Sequence, residues 1–266
     1  MQPVSDELAN ILNLSFIQTP TRWHDAAANR ELFDGWFEQL PEATELVVLP
    51  EMFSTGFTMA SAEVAEPMTG TTVCWLREAA QKLGKTICGS LVIVEDDQYF
   101  NRFVWVSPTD SIVTYDKRHT FRMAGEHEHY TAGGDRIVIE LNGWRVCPMI
   151  CYDLRFPVWF RNRNDYDVLL CVANWPAARQ SAWQTLLRAR AIENQSYVVG
   201  VNILGVDGAD VRYAGGSAVH DPQGEFLLDA GTGEGVFNVA LDRQSLEAHR
   251  TAFPAWQDAD EYALAE

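Results

Sequence analysis

The chain has 266 residues, of which 47% are apolar, so it can form one large domain or two smaller ones with a substantial core. Acidic residues number 37 against 20 basic ones, and the formal net charge of −17 repels nucleic-acid phosphates and anionic lipid surfaces. We therefore expect neither nucleic acid nor a membrane surface as a partner.

The N-terminal residues and the cysteines point to a cellular compartment. No basic segment followed by an apolar stretch opens the chain, and no apolar run approaches the roughly 18 residues of a membrane span. The five cysteines are odd in number, form no CxxC pair and lie mostly in apolar segments. We expect a cytoplasmic protein with free thiols, without a disulfide framework or a cysteine zinc site.

In the first half of the chain, β-prone runs alternate with helical segments. Val, Ile, Tyr and Phe content predicts strands at 13–18, 45–50, 85–94, 99–107 and 111–117. Apolar spacing predicts helices at 22–39 and at 70–83, the second ending at Gly84.

The second half repeats this alternation. Strands are predicted at 136–141, 144–150, 168–174 and 197–203, helices at 157–164 and 181–195, and three short strands within 216–240. Strands that are apolar on both faces and interleaved with helices predict a layered α/β protein. No long linker and no internal repeat interrupts the pattern, so we predict a single domain over 1–266.

Three chemically distinct side chains follow predicted strands. Cys151 ends the strand "WRVCPMI" and precedes a predicted helix, Glu51 ends "ELVVLP", and Lys117 ends "SIVTYD". A strand-to-helix turn exposes a nucleophile to the N–H groups that open the helix. Taken singly, Cys151 is equally well explained as a structural thiol, and the two charged residues as loop or surface charges.

Together these residues form the parts of an amide-cleaving site. Because strand ends of a mostly parallel sheet share one edge, we expect Glu51, Lys117 and Cys151 to lie close together. The carboxylate would take the thiol proton, the thiolate would attack carbon, and the ammonium would hold the developing oxyanion. No metal and no organic cofactor is needed for this chemistry.

The segment "RMAGEHEHY" offers a rival interpretation. Glu126, His127, Glu128 and His129, with His119 nearby, could supply zinc ligands. If the segment is extended, alternation places the histidines on one side and the glutamates on the other, and the helical HExxH spacing is missing. We therefore predict no metal site.

Two further residues are expected at the pocket. Trp175 follows Asn174 just beyond a fourth predicted strand and is expected to wall a small pocket. Arg155, about one helical turn after Cys151, would bind a substrate carboxylate with its fork of donors or would brace the loop by pairing with Asp153 or a neighbouring acid.

The blocks "LVVLPEMF", "YDKRHTF" and "MICYDLRFP", in this order, resemble the nitrilase superfamily of carbon–nitrogen hydrolases over nearly the whole chain. The resemblance implies a four-layer α-β-β-α sandwich that assembles as a homodimer or larger homo-oligomer. It implies Glu51 as general base, Lys117 as oxyanion stabiliser, Cys151 as nucleophile and Glu126 as a second glutamate, with Glu128 as the alternative.

Within that superfamily, "CYDLRFP" and "RMAGEHEHY" are similar to the ω-amidase branch. This implies hydrolysis of short dicarboxylic monoamides such as 2-oxoglutaramate or 2-oxosuccinamate, through a thioester on Cys151. The oxyanion would rest between Lys117 and the Tyr152 main-chain N–H. The alternatives are a nitrilase or an amide-dependent acyltransferase with the same triad, and, from another class, a catalytically idle scaffold that binds a partner.

Overall fold

The computed structural model describes residues 10–263 and contains two six-stranded sheets. The first has the strand order β14-β1-β2-β3-β4-β5 and the second β13-β12-β9-β8-β7-β6. The strands are β1 Ile11–Gln18, β2 Leu46–Val48, β3 Thr86–Glu95, β4 Gln98–Val106, β5 Ile112–Asp116, β6 Ile139–Leu141, β7 Trp144–Ile150, β8 Val168–Val172, β9 Tyr197–Val201, β10 Leu204–Val206, β11 Arg212–Ala214, β12 Ala218–His220, β13 Phe226–Asp229 and β14 Gly235–Asp242.

Each sheet has three parallel strands at its centre and antiparallel strands outside them. In the first sheet β1, β2 and β3 are parallel, and in the second β7, β8 and β9 are parallel. β10 and β11 form a separate two-stranded hairpin that the sequence patterns did not predict. Because the central strands of each sheet are parallel, their carboxyl ends lie at the same edge, and the side chains that follow them lie close together.

Helices cover the outer face of each sheet. These helices are α1 Ala26–Phe37 and α3 Thr71–Leu83 on the first sheet and α5 Gln180–Asn194 on the second. The remaining α-helices of the described residues are α2 Ser61–Val64, α4 Glu126–His129 and α6 Arg243–Ala252. Short 3-10 helices occur at Arg122–Ala124, Cys151–Arg155, Ala177–Arg179 and Ala255–Asp258. The predicted helices at 22–39, 70–83 and 181–195 correspond to α1, α3 and α5, and α3 ends at Gly84 in the left-handed conformation, as expected.

The two sheets pack face to face, so that each central strand is buried on both sides. Leu46 and Val48 of β2 belong to the core between the sheets, whereas Val47 belongs to the core beneath α1 and α3. On the other side, Leu187 of α5 lies against Gly200 of β9, where a Cβ would approach Leu187 Cδ1 to 2.5 Å. The architecture is the four-layer α-β-β-α sandwich that was predicted.

One predicted helix is wrong. Residues 157–164 form turns instead of a helix. The buried side chain of Asn162 accepts from the main-chain N–H groups of Asp165 and Tyr166 and donates to the Tyr166 carbonyl, which gives this loop its hydrogen bonds locally. A side chain that satisfies the main chain in this way competes with helix formation.

Candidate active site

The predicted residues meet, but they come from two sheets instead of one sheet edge. Glu51 and Lys117 follow β2 and β5 of the first sheet, and Cys151 and Asn174 follow β7 and β8 of the second. The expectation of a shared edge in one sheet is therefore wrong. The packing of the two sheets brings both sets of strand ends to the same place.

Glu51 is fully buried, and both of its carboxylate oxygens are engaged. Oε1 accepts from Lys117 Nζ at 2.9 Å and from Asn101 Nδ2 at 2.8 Å, while Oε2 accepts from the Asn174 main-chain N–H at 2.7 Å. These hydrogen bonds fix the Glu51 carboxylate in position, close enough to Cys151 for its charge to raise the pKa of the thiol.

Lys117 is held between two carboxylates in the interior. Its Nζ lies 2.9 Å from Glu51 Oε1 and 2.9 Å from Glu126 Oε1. Burial on its own would lower the pKa of Lys117, but the carboxylates of Glu126 and Glu51 outweigh it and raise that pKa well above its usual value. The ammonium therefore remains protonated beside the cysteine.

The structure separates the two glutamates that the sequence left as alternatives. Residues 126–129 form the short helix α4 and are not extended, so Glu126 points inward and is fully buried, whereas the Glu128 side chain is 69% exposed. Burial, followed by the nearby Glu51 charge, raises the pKa of Glu126 against the opposing effect of Lys117. Glu126, and not Glu128, shares Lys117 with Glu51.

Cys151 sits in a strained main-chain conformation at the end of β7. Its φ of 46° lies in the left-handed region, which is costly for a residue with a Cβ. The expected helix after it is a 3-10 helix of five residues, Cys151–Arg155. Burial, together with the Glu51 charge, raises the pKa of the Cys151 thiol well above its usual value, so the resting sulfur is protonated.

Asp153, beneath this turn, joins the two sheets. It is fully buried and accepts from Tyr115 Oη at 2.8 Å and from the Ile150 N–H at 3.0 Å. It also accepts from the His119 main-chain N–H at 2.9 Å and lies 2.8 Å from His119 Nδ1. His119 is therefore a structural partner of Asp153, and the loop after Lys117 is tied to the turn that carries Cys151.

A cavity of about 710 Å³ opens above Cys151. Tyr152, Arg155 and Trp175 line it. Arg155 does not pair with Asp153, since its guanidinium lies 4.8 Å from the centre of the Trp175 ring and has no ion pair within residues 10–263. Arg179, which also lines the cavity, was not singled out by the sequence.

The sequence also missed Asn101, the residue that links the two carboxylates. Its Nδ2 donates to Glu51 Oε1 and lies 3.4 Å from Glu126 Oε1, and its own Oδ1 accepts from Ser90 Oγ. Asn101 is a buried amide, followed by the buried Arg102, in the β-prone run "YFNRFVWVS". Such a residue is a signal for a buried polar network.

Neither a metal cluster nor a membrane helix is found in the part of the chain that the structure describes. No group of three or more His, Cys, Asp and Glu side chains between residues 10 and 263 is arranged to hold a metal ion. None of the helices in that range combines the length and apolar character needed to cross a membrane.

A two-sheet sandwich with a buried carboxylate–ammonium pair beside a cysteine thiol defines a class of cysteine-dependent hydrolases. The carbon–nitrogen hydrolase family model matches residues 13–251. The chain belongs to this family, within the nitrilase superfamily, and is a hydrolase that acts on carbon–nitrogen bonds.

Named relatives and solved structures agree with this assignment. The chain is 48% identical to "Omega-amidase YafV" of Yersinia enterocolitica over 254 residues, covering 95% of this chain and 98% of the relative. It is 31% identical to the "2-oxoglutaramate amidase" of Bacillus subtilis over 250 residues, covering 92% and 96%. The crystal structure of a CN-hydrolase superfamily protein from Xanthomonas campestris, 44% identical, superposes with a TM-score of 0.94 over 96% of this chain and 99% of that one. A nitrilase-superfamily protein from Saccharomyces cerevisiae, at 24% identity and a TM-score of 0.82 over 93% and 96%, shares the fold.

Proposed function

We propose that the protein is an ω-amidase that hydrolyses the terminal amide of short dicarboxylic monoamides such as 2-oxoglutaramate and 2-oxosuccinamate. The observation that carries this proposal is the buried ion pair of Glu51 and Lys117 beside Cys151, at a cavity that Arg155 also lines without an ion-pair partner among residues 10–263. The similarity to proteins named omega-amidase and 2-oxoglutaramate amidase supports the choice of substrate.

In the first half-reaction Glu51 is the general base and Cys151 the nucleophile. The resting thiol is protonated, so Glu51 removes its proton as sulfur attacks the amide carbon. The negative charge that develops on oxygen is stabilised by Lys117 Nζ and by the Tyr152 main-chain N–H. Glu51 then gives the proton to the departing nitrogen, the carbon–nitrogen bond breaks, and ammonia leaves an acyl thioester on Cys151.

In the second half-reaction the same groups act on water. Glu51 removes a proton from the attacking water, Lys117 again stabilises the oxyanion, and collapse of the intermediate returns the proton to sulfur and releases the acid. Glu126 touches neither sulfur nor substrate in this scheme. It acts through Lys117, which it keeps protonated and correctly placed.

The cavity supports a monoamide with a distal negative charge. Arg155 presents a guanidinium four residues after the nucleophile, and a carboxylate at the far end of the substrate matches its two parallel donors. Trp175 lies against this guanidinium and forms the wall of the cavity. Binding at both ends would place the amide carbon at Cys151.

The test is ammonia release from a panel of short amides and nitriles. We expect turnover of 2-oxoglutaramate and 2-oxosuccinamate to exceed that of uncharged amides of equal length, because only the former use Arg155. Preferred turnover of nitriles would reject the ω-amidase function in favour of a nitrilase. Transfer of the acyl group to added amines, in place of hydrolysis, would indicate an acyltransferase.

We also propose that 1–266 is a single domain, that the protein is cytoplasmic, and that it forms a homodimer through its outer helices. Ile192 on α5 and Val158 in the adjacent loop are apolar side chains that are 50% and 49% exposed, which supports an interface on this side. Sedimentation should give twice the 29.9 kDa mass of one chain, and Ile192→Glu should shift it to a monomer. A monomeric wild-type protein would reject the homodimer.

A further inference from the structure

Of the three arginines that line the cavity, the two half-buried ones, Arg155 and Arg179, have no anionic partner among residues 10–263. The Cζ atoms of Arg155 and Arg179 lie 4.8 Å from the Trp175 ring and 5.2 Å from the Phe121 ring. Both arginines are half-buried and line the cavity that contains Cys151. Neither guanidinium forms a hydrogen bond or an ion pair with any residue between 10 and 263.

This arrangement is conspicuous because the chain carries 37 acidic residues. By contrast, the half-buried Arg145 pairs with Asp167 and the buried Arg102 pairs with Asp116. An aromatic ring fixes the plane of a guanidinium but neutralises neither its charge nor the N–H donors along its edge. Two such groups in one cavity provide more donors than a single carboxylate requires.

Trp175 contacts the guanidinium of Arg155 and the main chain of Arg179. Its indole Nε1 donates to the main-chain carbonyl of Arg179 at 2.9 Å, and the ring of the same side chain lies against Arg155. The 3-10 helix Ala177–Arg179 then leads directly into α5, which packs on the second sheet. Arg179 is thus attached to a rigid element, as a residue that determines specificity requires.

We propose that Arg179 binds the 2-oxo-acid end of the substrate together with Arg155 and selects 2-oxo acids over plain carboxylates and over 2-amino acids. The inference rests on the proposed ω-amidase function and adds the residue that recognises the 2-oxo group next to the carboxylate. Arg155 binds the carboxylate itself, and Arg179 donates to the 2-oxo oxygen.

The chemistry of three five-carbon amides explains the selection. Glutaramate carries one carboxylate, which a single guanidinium satisfies. In 2-oxoglutaramate a carbonyl oxygen adjoins the carboxylate and gives the second guanidinium an acceptor. Glutamine carries an ammonium at the same carbon, which offers no acceptor and is repelled by two neighbouring cations.

The experiment measures kcat/KM of wild type, Arg179→Ala and Arg155→Ala with these three amides. We expect Arg179→Ala to lower kcat/KM for 2-oxoglutaramate by about tenfold to a hundredfold, the effect of losing a hydrogen bond from a charged donor, and to leave glutaramate nearly unchanged. Arg155→Ala should lower both. Arg179→Ala should also raise the rate with glutamine relative to 2-oxoglutaramate. The 2-oxo amide cyclises in solution. Because every variant is assayed with the same substrate solution, this cyclisation does not change the ratio of kcat/KM between variants.

Arg212→Ala is the matched control, since it removes an exposed arginine from the mouth of the same cavity. It should preserve the ratio of 2-oxoglutaramate to glutaramate. Equal losses on these two substrates in Arg179→Ala, or no loss on either, would overturn the role of Arg179. If the alanine variant does not fold, Arg179→Gln keeps most of the side chain without its charge and carries the same expectations. Failure of the wild type to hydrolyse any dicarboxylic monoamide would instead reject the proposed ω-amidase function itself.

Discussion

Cys151 combines a reactive group with an unfavourable main-chain conformation. A φ of 46° costs a residue with a Cβ about 1–2 kcal/mol relative to the right-handed regions, whereas glycine adopts it freely. The fold must therefore hold this residue in place by other contacts, of which the hydrogen bonds to Asp153 immediately behind it are the clearest.

Two substitutions at Cys151 separate reactivity from strain. We expect Cys151→Ala and Cys151→Gly both to abolish turnover, and Cys151→Gly to be more stable than Cys151→Ala by about 1 kcal/mol because glycine relieves the strain. Ammonia release and urea denaturation measure the two effects.

Cys147→Ala is the control, since this cysteine is fully buried within β7. It should retain activity and lose stability through a small cavity. An acyl adduct found by mass spectrometry on any cysteine other than Cys151 would contradict the assignment.

Glu126 and Glu128 offer a second matched pair. We expect Glu126→Gln to lower kcat by about tenfold to a hundredfold, because it removes one of the two carboxylates that hold the oxyanion-stabilising Lys117 in place. Glu128→Gln changes an exposed side chain and should leave kcat unaltered. Steady-state kinetics with one amide substrate suffice, and equal effects in the two variants would show that Glu126 has no special role.

Among individual residues, the sequence predicts functional side chains that directly follow a strand. It does not predict functional side chains that lie inside a strand or a helix. Glu51, Lys117 and Cys151 each follow an apolar run, so their convergence could be predicted. Asn101 lies within β4, where only the packed structure shows which neighbours it meets. The choice between Glu126 and Glu128 depends on the short helix α4, which is too brief to leave a periodic signal.

Among the elements, the junction of β7, β8 and α6 depends on one carboxylate. Asp167, directly before β8, contacts Arg145 of β7 at 2.6 Å and Arg250 of α6 at 3.0 Å. Burial would raise the pKa of Asp167, but the hydrogen bonds and charge of Arg145, with the charge of Arg250, outweigh it and lower that pKa. The ionised carboxylate therefore stabilises the folded state.

We expect Asp167→Asn to lower the free energy of unfolding at pH 7 by about 3 kcal/mol, as breaking a buried ion network does. Since the pKa of Asp167 is depressed in the folded state, this contribution is present above the unfolded value of about 3.9 and is lost as the pH falls further. The difference between wild type and variant should therefore narrow below about pH 4.

Urea denaturation across this pH range measures the difference, with Asp110→Asn as the control. Asp110 pairs with Arg77 at the surface, where solvent screens the interaction and an ion pair has little effect on stability. A constant difference between wild type and Asp167→Asn at every pH would show that hydrogen bonding, and not charge, stabilises the junction.

Element prediction succeeded where periodicity was strong and failed where side chains satisfy the main chain locally. α3 and β7 match their predicted ranges closely because each has a clear apolar pattern. The segment 157–164 was also predicted to be a helix, but the side chain of Asn162 stabilises a turn there. The hairpin of β10 and β11 is too short and too exposed to produce an alternating pattern.

At the scale of the whole molecule, the cation that the proposed reaction needs is a side chain of the protein and not a metal ion. Because Lys117 Nζ provides the electrophilic assistance, we expect EDTA to leave amide hydrolysis unchanged. The measurement is the rate of ammonia release before and after dialysis against the chelator. Activity that is lost and then restored by added zinc would overturn the metal-free mechanism and revive the zinc alternative raised by the His127–His129 segment.

The layered architecture could be predicted from the alternation of strands and helices, but the division into two sheets could not. Apolar residues on both faces show that a strand is buried without showing what covers each face. In the structure one face of each central strand meets a helix and the other meets the second sheet. That arrangement explains why the catalytic groups arrive from two sheets.

The pairing of β1 with β14 has a consequence for biosynthesis. Eight residues of β1 pair antiparallel with β14, from Ile11 opposite Asp242 to Gln18 opposite Gly235. A nascent chain emerging from the ribosome therefore exposes one edge of β1 until β14 has been synthesised. An unpaired edge of this kind is a template for aggregation, and contacts so distant in sequence form slowly. The first sheet is complete only after translation of β14. Protection of the nascent chain against aggregation therefore matters most while the segments between β1 and β14 are being synthesised.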